Sequence, residues 1–223
     1  MGAIDGQGPD AARRRRVLAA LGVAAAAPVA LGADALAQVQ GEGRNNKKKR
    51  RNKRKKDKKG DIAILNYALT LEHLEYAFYR DGLETYDADA FAAEGYASNV
   101  FDYFAMIRDD EKAHVDTITQ VITDLGGEPV AEAMYDFGYS DLESFIDVAK
   151  ALENTGVSAY QGAAKDLIGE NELLTAALTI HGVEARHAAY LNGLTGESPF
   201  PDAFNPTLTP DEVLAIAGPF IKM

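Results

Sequence analysis

Glu111 and His114 stand three residues apart, and so do Glu184 and His187. On a helix this spacing sets both side chains about one turn apart on one face, so each pair can offer an oxygen and a neutral nitrogen to a single centre. Glu72 and Glu153 interrupt apolar runs in the same manner, without a following histidine. An unpaired buried carboxylate costs several kcal/mol even after relaxation, and four facing one another also repel, so a core that holds them needs positive charge. Two divalent cations meet that need. Four carboxylates neutralise them, and each histidine adds a nitrogen ligand.

The elements that must position these groups are helical. From Gly60 onward the apolar residues recur at alternating spacings of three and four, and prolines are confined to connections and the C-terminal end. The pattern predicts long helices over about 61–84, 90–125, 140–168 and 171–194. A short fifth helix is predicted over about 210–217, opened by Thr209 as N-cap with Pro210 at the first helical position. The inward stripes run Leu65, Leu69, Glu72, Tyr76, Tyr79, Leu83 in the first helix and Phe104, Ile107, Glu111, His114, Ile118, Val121, Leu125 in the second. In the third they run Leu142, Ile146, Ala149, Glu153, Gly156, Tyr160, Ala163, Leu167, and in the fourth Leu173, Ala177, Ile180, Glu184, His187, Leu191, Leu194. Each is broken near its middle by a glutamate. The second and third helices need a long crossover, and the fourteen residues Gly126 to Tyr139 supply it. Extended, they reach up to ~45 Å against ~38 Å for a 25-residue helix.

Glu72, Glu111-Lys112-Ala113-His114, Glu153 and Glu184-Ala185-Arg186-His187 resemble the donor set of ferritin-like di-metal carboxylate proteins, in which two helices give one Glu each and two others a Glu-x-x-His. The resemblance covers about residues 61–194. It implies an all-α, ferritin-like four-helix bundle with a long crossover and a metal site of two Fe ions, or Mn in the alternative, held by Glu72, Glu111, His114, Glu153, Glu184 and His187. Within that superfamily, Leu71-Glu72-His73-Leu74-Glu75, Phe78-Tyr79 and Glu184 to Leu191 are similar to the exported group that includes desiccation-related proteins. The chain departs from rubrerythrins in having no cysteine for a rubredoxin module.

Glu72 is followed seven residues later by Tyr79, and Glu153 by Tyr160, as though the chain held two copies of one helix pair. Tyr79 and Tyr160 are candidate catalytic residues, either hydrogen-bonding the donor carboxylates or carrying an oxidising equivalent. The plain alternative is a pair of core tyrosines with satisfied hydroxyls. Glu75 has no counterpart in the second pair, and it is expected beside the donor set or on the surface rather than within it. His181 is expected to be structural or solvent-facing, and His73 to point about 100° away from Glu72.

Of the 223 residues none is cysteine, which excludes disulfides, iron–sulfur clusters and zinc-thiolate sites. The net charge of -11 divides into a basic leader, +11 over residues 1–60, and an acidic body, -22 over 61–223. An acidic body disfavours nucleic acid as partner of the folded domain. Arg13 to Arg16 precede an apolar run from Val17 to about Ala33, and Ala35-Leu36-Ala37 has the small-x-small form that signal peptidases accept. Arg14-Arg15-Arg16-Val17-Leu18 resembles a twin-arginine motif, which implies export of an already folded protein to the periplasm, cell surface or medium. Asn45 to Lys59 carry eleven Lys or Arg and one acid, Asp57. Such a segment is expected to be disordered, as a tether to an anionic cell-surface polymer or as a solvated spacer. The expected organisation is an export signal over 1–37, a basic linker over 38–60 and a ferritin-like domain over 61–223.

The resemblance and the donor set together imply an exported di-iron oxidase that consumes O2 or H2O2, of ferroxidase or peroxidase type, protecting against oxidative or desiccation stress. A manganese catalase on the same donors and a non-catalytic, metal-stabilised surface protein are the alternatives. A second copy of the chain, in a homodimer, is a further candidate partner.

Overall fold

The computed structural model describes residues 43–167 and 170–222. The expected export signal lies outside them. Helix α1 spans Gly43–Thr85, α2 Ala88–Ala93, α3 Asn99–Asp124, α4 Leu142–Ala163, α5 Asn171–Leu194 and α6 Pro210–Ala217. The expected all-α bundle of four long helices is present, with the short C-terminal helix. The two pairs α1–α3 and α4–α5 pack within themselves, α1 against α4 joins them, and α6 lies on α4.

Local chemistry sets the helix ends. Asp141 caps α4 by accepting from the Ser144 N–H, and the Ser144 hydroxyl answers the Asp141 N–H. Thr209 and Glu212 form the same reciprocal box at α6, with Pro210 just inside it as expected. The fourth predicted helix matches α5 at both ends.

Three expectations need correction. The second predicted helix, drawn as continuous from about residue 90, is two: α2 ends at Ala93 with Glu94 as its cap, Gly95 after it takes φ +84°, and α3 begins at Asn99. The third ends at Ala163 and tightens into a 3₁₀ turn over Ala164–Leu167. The basic segment, expected to be a disordered linker up to residue 60, is helical from Gly43 and continuous with the first bundle helix. Lys and Arg are good helix formers, and extending an existing helix avoids the cost of nucleation.

The crossover after α3 starts at Gly126, whose φ of +74° suits glycine. It runs along α1. Asn66 binds both the Glu128 carbonyl and the Val130 N–H, His73 Nε2 lies 3.2 Å from the Val130 carbonyl, and Arg80 pairs with Glu132 at 2.9 Å. Two short strands, β1 (Met134–Tyr135) and β2 (Ile221–Lys222), then pair antiparallel, tying the crossover to the far C-terminal end.

Apolar packing forms two clusters. The larger centres on Phe78, Phe104 and Phe145, with Phe78 stacked on Phe145 at 4.8 Å. The smaller gathers Leu69, Val115, Ile118, Ile122, Tyr160 and Ile180. Tyr79 belongs to the first cluster and Tyr160 to the second. Among the described residues no helix is long and apolar enough to cross a membrane.

Candidate metal centre

The inward stripes of α1, α3, α4 and α5 carry their glutamates to one level of the bundle. Glu72, Glu111, Glu153 and Glu184 have no exposed surface, and His114 and His187 are buried at 8% and 7%. All six predicted residues come together there. They form two overlapping groups: Glu72, Glu111, His114 and Glu184 in one, Glu111, Glu153, Glu184 and His187 in the other. Within each, one donor atom per residue lies within 4.8 Å of every other. Glu111 and Glu184 belong to both groups, so they stand where a bridging carboxylate between two ions would stand.

His114 Nδ1 faces oxygens from three helices, 3.1 Å from Glu72, 2.9 Å from Glu111 and 3.2 Å from Glu184. One ring N–H can serve only one of these acceptors well. Nitrogen and oxygen donors gathered this closely could share one ion. His187 Nδ1 faces Glu111 at 3.0 Å and Glu153 at 3.3 Å. Its other nitrogen lies 3.3 Å from Asp110, the kind of carboxylate contact that fixes the ring of a metal-binding histidine.

Both tyrosines reach across the bundle. Tyr79 on α1 donates to Glu153 on α4 at 2.7 Å, and Tyr160 on α4 donates to Glu72 on α1. Each holds an outer carboxylate, one found in only one of the two groups.

A family model for the ferritin-like domain matches residues 60–197. The chain belongs to that family. Protein rds1 of Schizosaccharomyces pombe is 25% identical over 163 residues, which is 72% of this chain but 39% of that protein. This chain thus spans well under half of that relative's length. A crystal structure described as ferritin-like, diiron-carboxylate proteins from Bacillus anthracis aligns with TM-score 0.52 and 20% identity, covering 62% of this chain and 96% of that one. At that identity the likeness concerns the fold.

The electrostatics of this ferritin-like bundle are those of a cation site. Burial pushes the Glu72 carboxyl up to about 7, with His114 pulling the other way. Burial also raises Glu184 well above the usual carboxylate range, reinforced by Glu111 and Glu153. On Glu111 burial pushes upward too, but the two imidazoles outweigh it and hold that carboxyl below its usual range. His114 and His187, which burial alone would discharge, are raised well above an ordinary imidazole, by Glu72 and Glu111 for one and Glu153 for the other. Oxygens of Glu111, Glu153 and Glu184 and the Nδ1 of His187 nonetheless have no hydrogen-bond partner. Buried polar atoms without a hydrogen bond, gathered in one place, are compatible with a pair of hard-to-borderline cations.

Sequence reasoning missed Asp110, which sits next to Glu111 on the exposed side of α3 and gains meaning only when α5 brings His187 to it. Glu75 is not at the surface: it is 3% exposed and buried among the donors. His181 is half-buried, with its imidazole held below the usual value by burial. His73 turns to the crossover, as expected of a bystander.

An apolar cleft of about 620 Å³, its open mouth included, runs between α1, α3, α4 and α5. Leu65, Leu71, Ile118, Leu173 and Ile180 line it, and so does Tyr160, the residue that holds Glu72.

Proposed function

We propose that this chain is an exported di-iron protein that couples oxidation of Fe²⁺ to reduction of O2 or H2O2, limiting iron-driven oxidative damage. One observation carries the reading. Two imidazole nitrogens each face carboxylate oxygens from more than one helix at about hydrogen-bond distance, and several of those buried oxygens have no hydrogen bond. The description of the Bacillus anthracis structure as diiron-carboxylate supports iron as the metal.

Glu72 and His114 would hold one ion, Glu153 and His187 the other, and Glu111 and Glu184 would bridge. Bound as a pair, two Fe²⁺ supply two electrons, which with two protons reduce H2O2 to two waters or O2 to H2O2. The chain's own part is geometric and electrostatic. Tyr79 and Tyr160 fix the outer carboxylates so that they stay aimed at the centre. The apolar clusters above and below keep bulk water away, and the cleft beside Tyr160 offers a nonpolar oxidant a path inward. Export rests on the sequence alone, on Arg13 to Arg16 and the apolar run behind them.

Elemental analysis of protein purified after cytoplasmic expression tests the centre. About two iron ions per chain are expected, lost in Glu111→Ala/Glu184→Ala, with Fe²⁺ oxidation faster than in buffer. Two manganese ions, with oxygen evolved from peroxide and no reductant, would move the assignment to a catalase. Two ions that protect the fold without turnover would leave a metal-stabilised structural protein. Protein that takes up no metal even on reconstitution ends all three.

A further inference from the structure

Glu75 lies one helical turn beyond Glu72 on α1 and is 3% exposed. Its Oε2 has no hydrogen-bond partner. Its other oxygen points to α4, where it lies 3.0 Å from the position a side chain on Gly156 would occupy. Glu184 Oε2 reaches the same gap, 3.1 Å from that position. Glu75 lies on α1 between Glu72 and Tyr79, the residue that reaches Glu153, so it stands one turn from Glu72 toward the end of the centre where Glu153 and His187 lie, with the gap at Gly156 facing it. A larger residue at 156 would fill the seat that Glu75 uses.

Tyr79 and Tyr160 mirror one another across the two helix pairs, and so do Glu72 and Glu153; Glu75 and Gly156 break the mirror. One pair brings an extra acid, and the other brings the space to hold it. A carboxylate placed among four others and given no donor is costly unless a cation compensates it. The four donor glutamates already balance two divalent ions, so a fifth lets the cluster balance one more positive charge, as when one ion of the pair becomes trivalent.

We infer that Glu75 is a fifth carboxylate ligand, which joins the ion held by Glu153 and His187 on the side opened by Gly156. This rests on the two-metal reading above. Glu75 is outside both four-residue donor groups, and to join the ion it would have to move to another staggered side-chain rotamer. The two metal positions are then unequal, four protein groups on one side and five on the other.

The test is Co²⁺ titration of the metal-free chain, followed by visible absorption and calorimetry, for the wild type, Glu75→Gln and Glu75→Leu. Gln keeps the shape and Leu removes every donor atom. The wild type is expected to bind two Co²⁺ per chain. Both variants are expected to keep one ion at wild-type affinity and to bind the other at least tenfold more weakly, and adding His114→Ala should abolish the retained one. Metal-free Glu75→Leu, freed of a buried unpaired acid, should unfold no more easily than the wild type. Two ions bound by both variants as tightly as by the wild type would overturn the inference and leave the two-metal reading standing. Equal weakening of both positions would also overturn it. A wild type that binds no Co²⁺ brings down both.

Discussion

Tyr79 donates a 2.7 Å hydrogen bond to Glu153, a residue of the opposite helix pair, and Tyr160 returns the gesture to Glu72. The two contacts cross the α1–α4 seam in opposite directions. Each therefore aims an outer carboxylate and also stitches the two halves of the bundle.

Replacing Tyr79 with Phe leaves the shape of the aromatic cluster intact and strands an acceptor on Glu153. The metal-free protein is expected to lose ~1–3 kcal/mol of stability, read from denaturant midpoints. Affinity for the ion on the His187 side should fall ~10–100-fold, while the His114 side is unaffected. An unchanged midpoint together with unchanged affinity would mean that the contact has no role.

The metal-free fold should weaken as pH rises. Glu72, Glu75 and Glu184, all raised by burial first, keep protons in the folded chain that the unfolded chain has already released. What they contribute is complete below the ordinary carboxylate value of 4.5 and is lost as pH climbs through folded values, about 7 for Glu72. His114 and His187 act in the same sense, contributing fully below 6.5 and losing it as pH rises through their raised values. Glu111 opposes them, and its contribution fades only as pH falls below 4.5. The net expectation is a fall in melting temperature between about pH 5 and 8. Metal affinity should rise across the same window, since the donors must shed protons to bind. Parallel curves with and without metal would contradict this.

Metal binding should stabilise the fold by mass action. One ion at 100 times its dissociation constant adds about 2.7 kcal/mol, and chelation should remove it reversibly. A melting temperature indifferent to Fe²⁺, Mn²⁺ and chelator alike would argue against a buried site.

Gly162 is where the chain before α6 crosses α4: a side-chain carbon there would fall 2.0 Å from the Leu208 carbonyl oxygen. Gly162→Ala has to push backbone away, at a cost of about 1–3 kcal/mol. Gly193, on the open side of α5 with nothing within 4 Å, is the control. Its alanine variant should match or exceed wild-type stability, because alanine is the better helix former.

The convergence of the six candidate donors is legible in the sequence because helical periodicity alone decides which side chains share a face. The caps at Asp141 and Thr209 act within four residues, and Thr209 is legible for that reason. What escapes depends on contacts between distant segments. Asp110 needs α5 beside it, and the β1–β2 pairing joins residues far apart in the chain. Glu75 escapes because its counterpart in the repeat is Gly156, and a glycine has no side chain from which to read a role. The missing side chain is the space that accommodates the acid.

Each donor group draws on both helix pairs: Glu184 of α5 completes the set begun by α1 and α3, and Glu111 of α3 completes the set begun by α4 and α5. A loaded chain is therefore closed by bonds that no single hairpin can make for itself. An unloaded one is expected to open along the α1–α4 seam more often, each opening being an opportunity for a protease. On the two-metal reading the half-life of the protein is expected to lengthen with metal supply, so that its abundance follows that supply without any dedicated sensor.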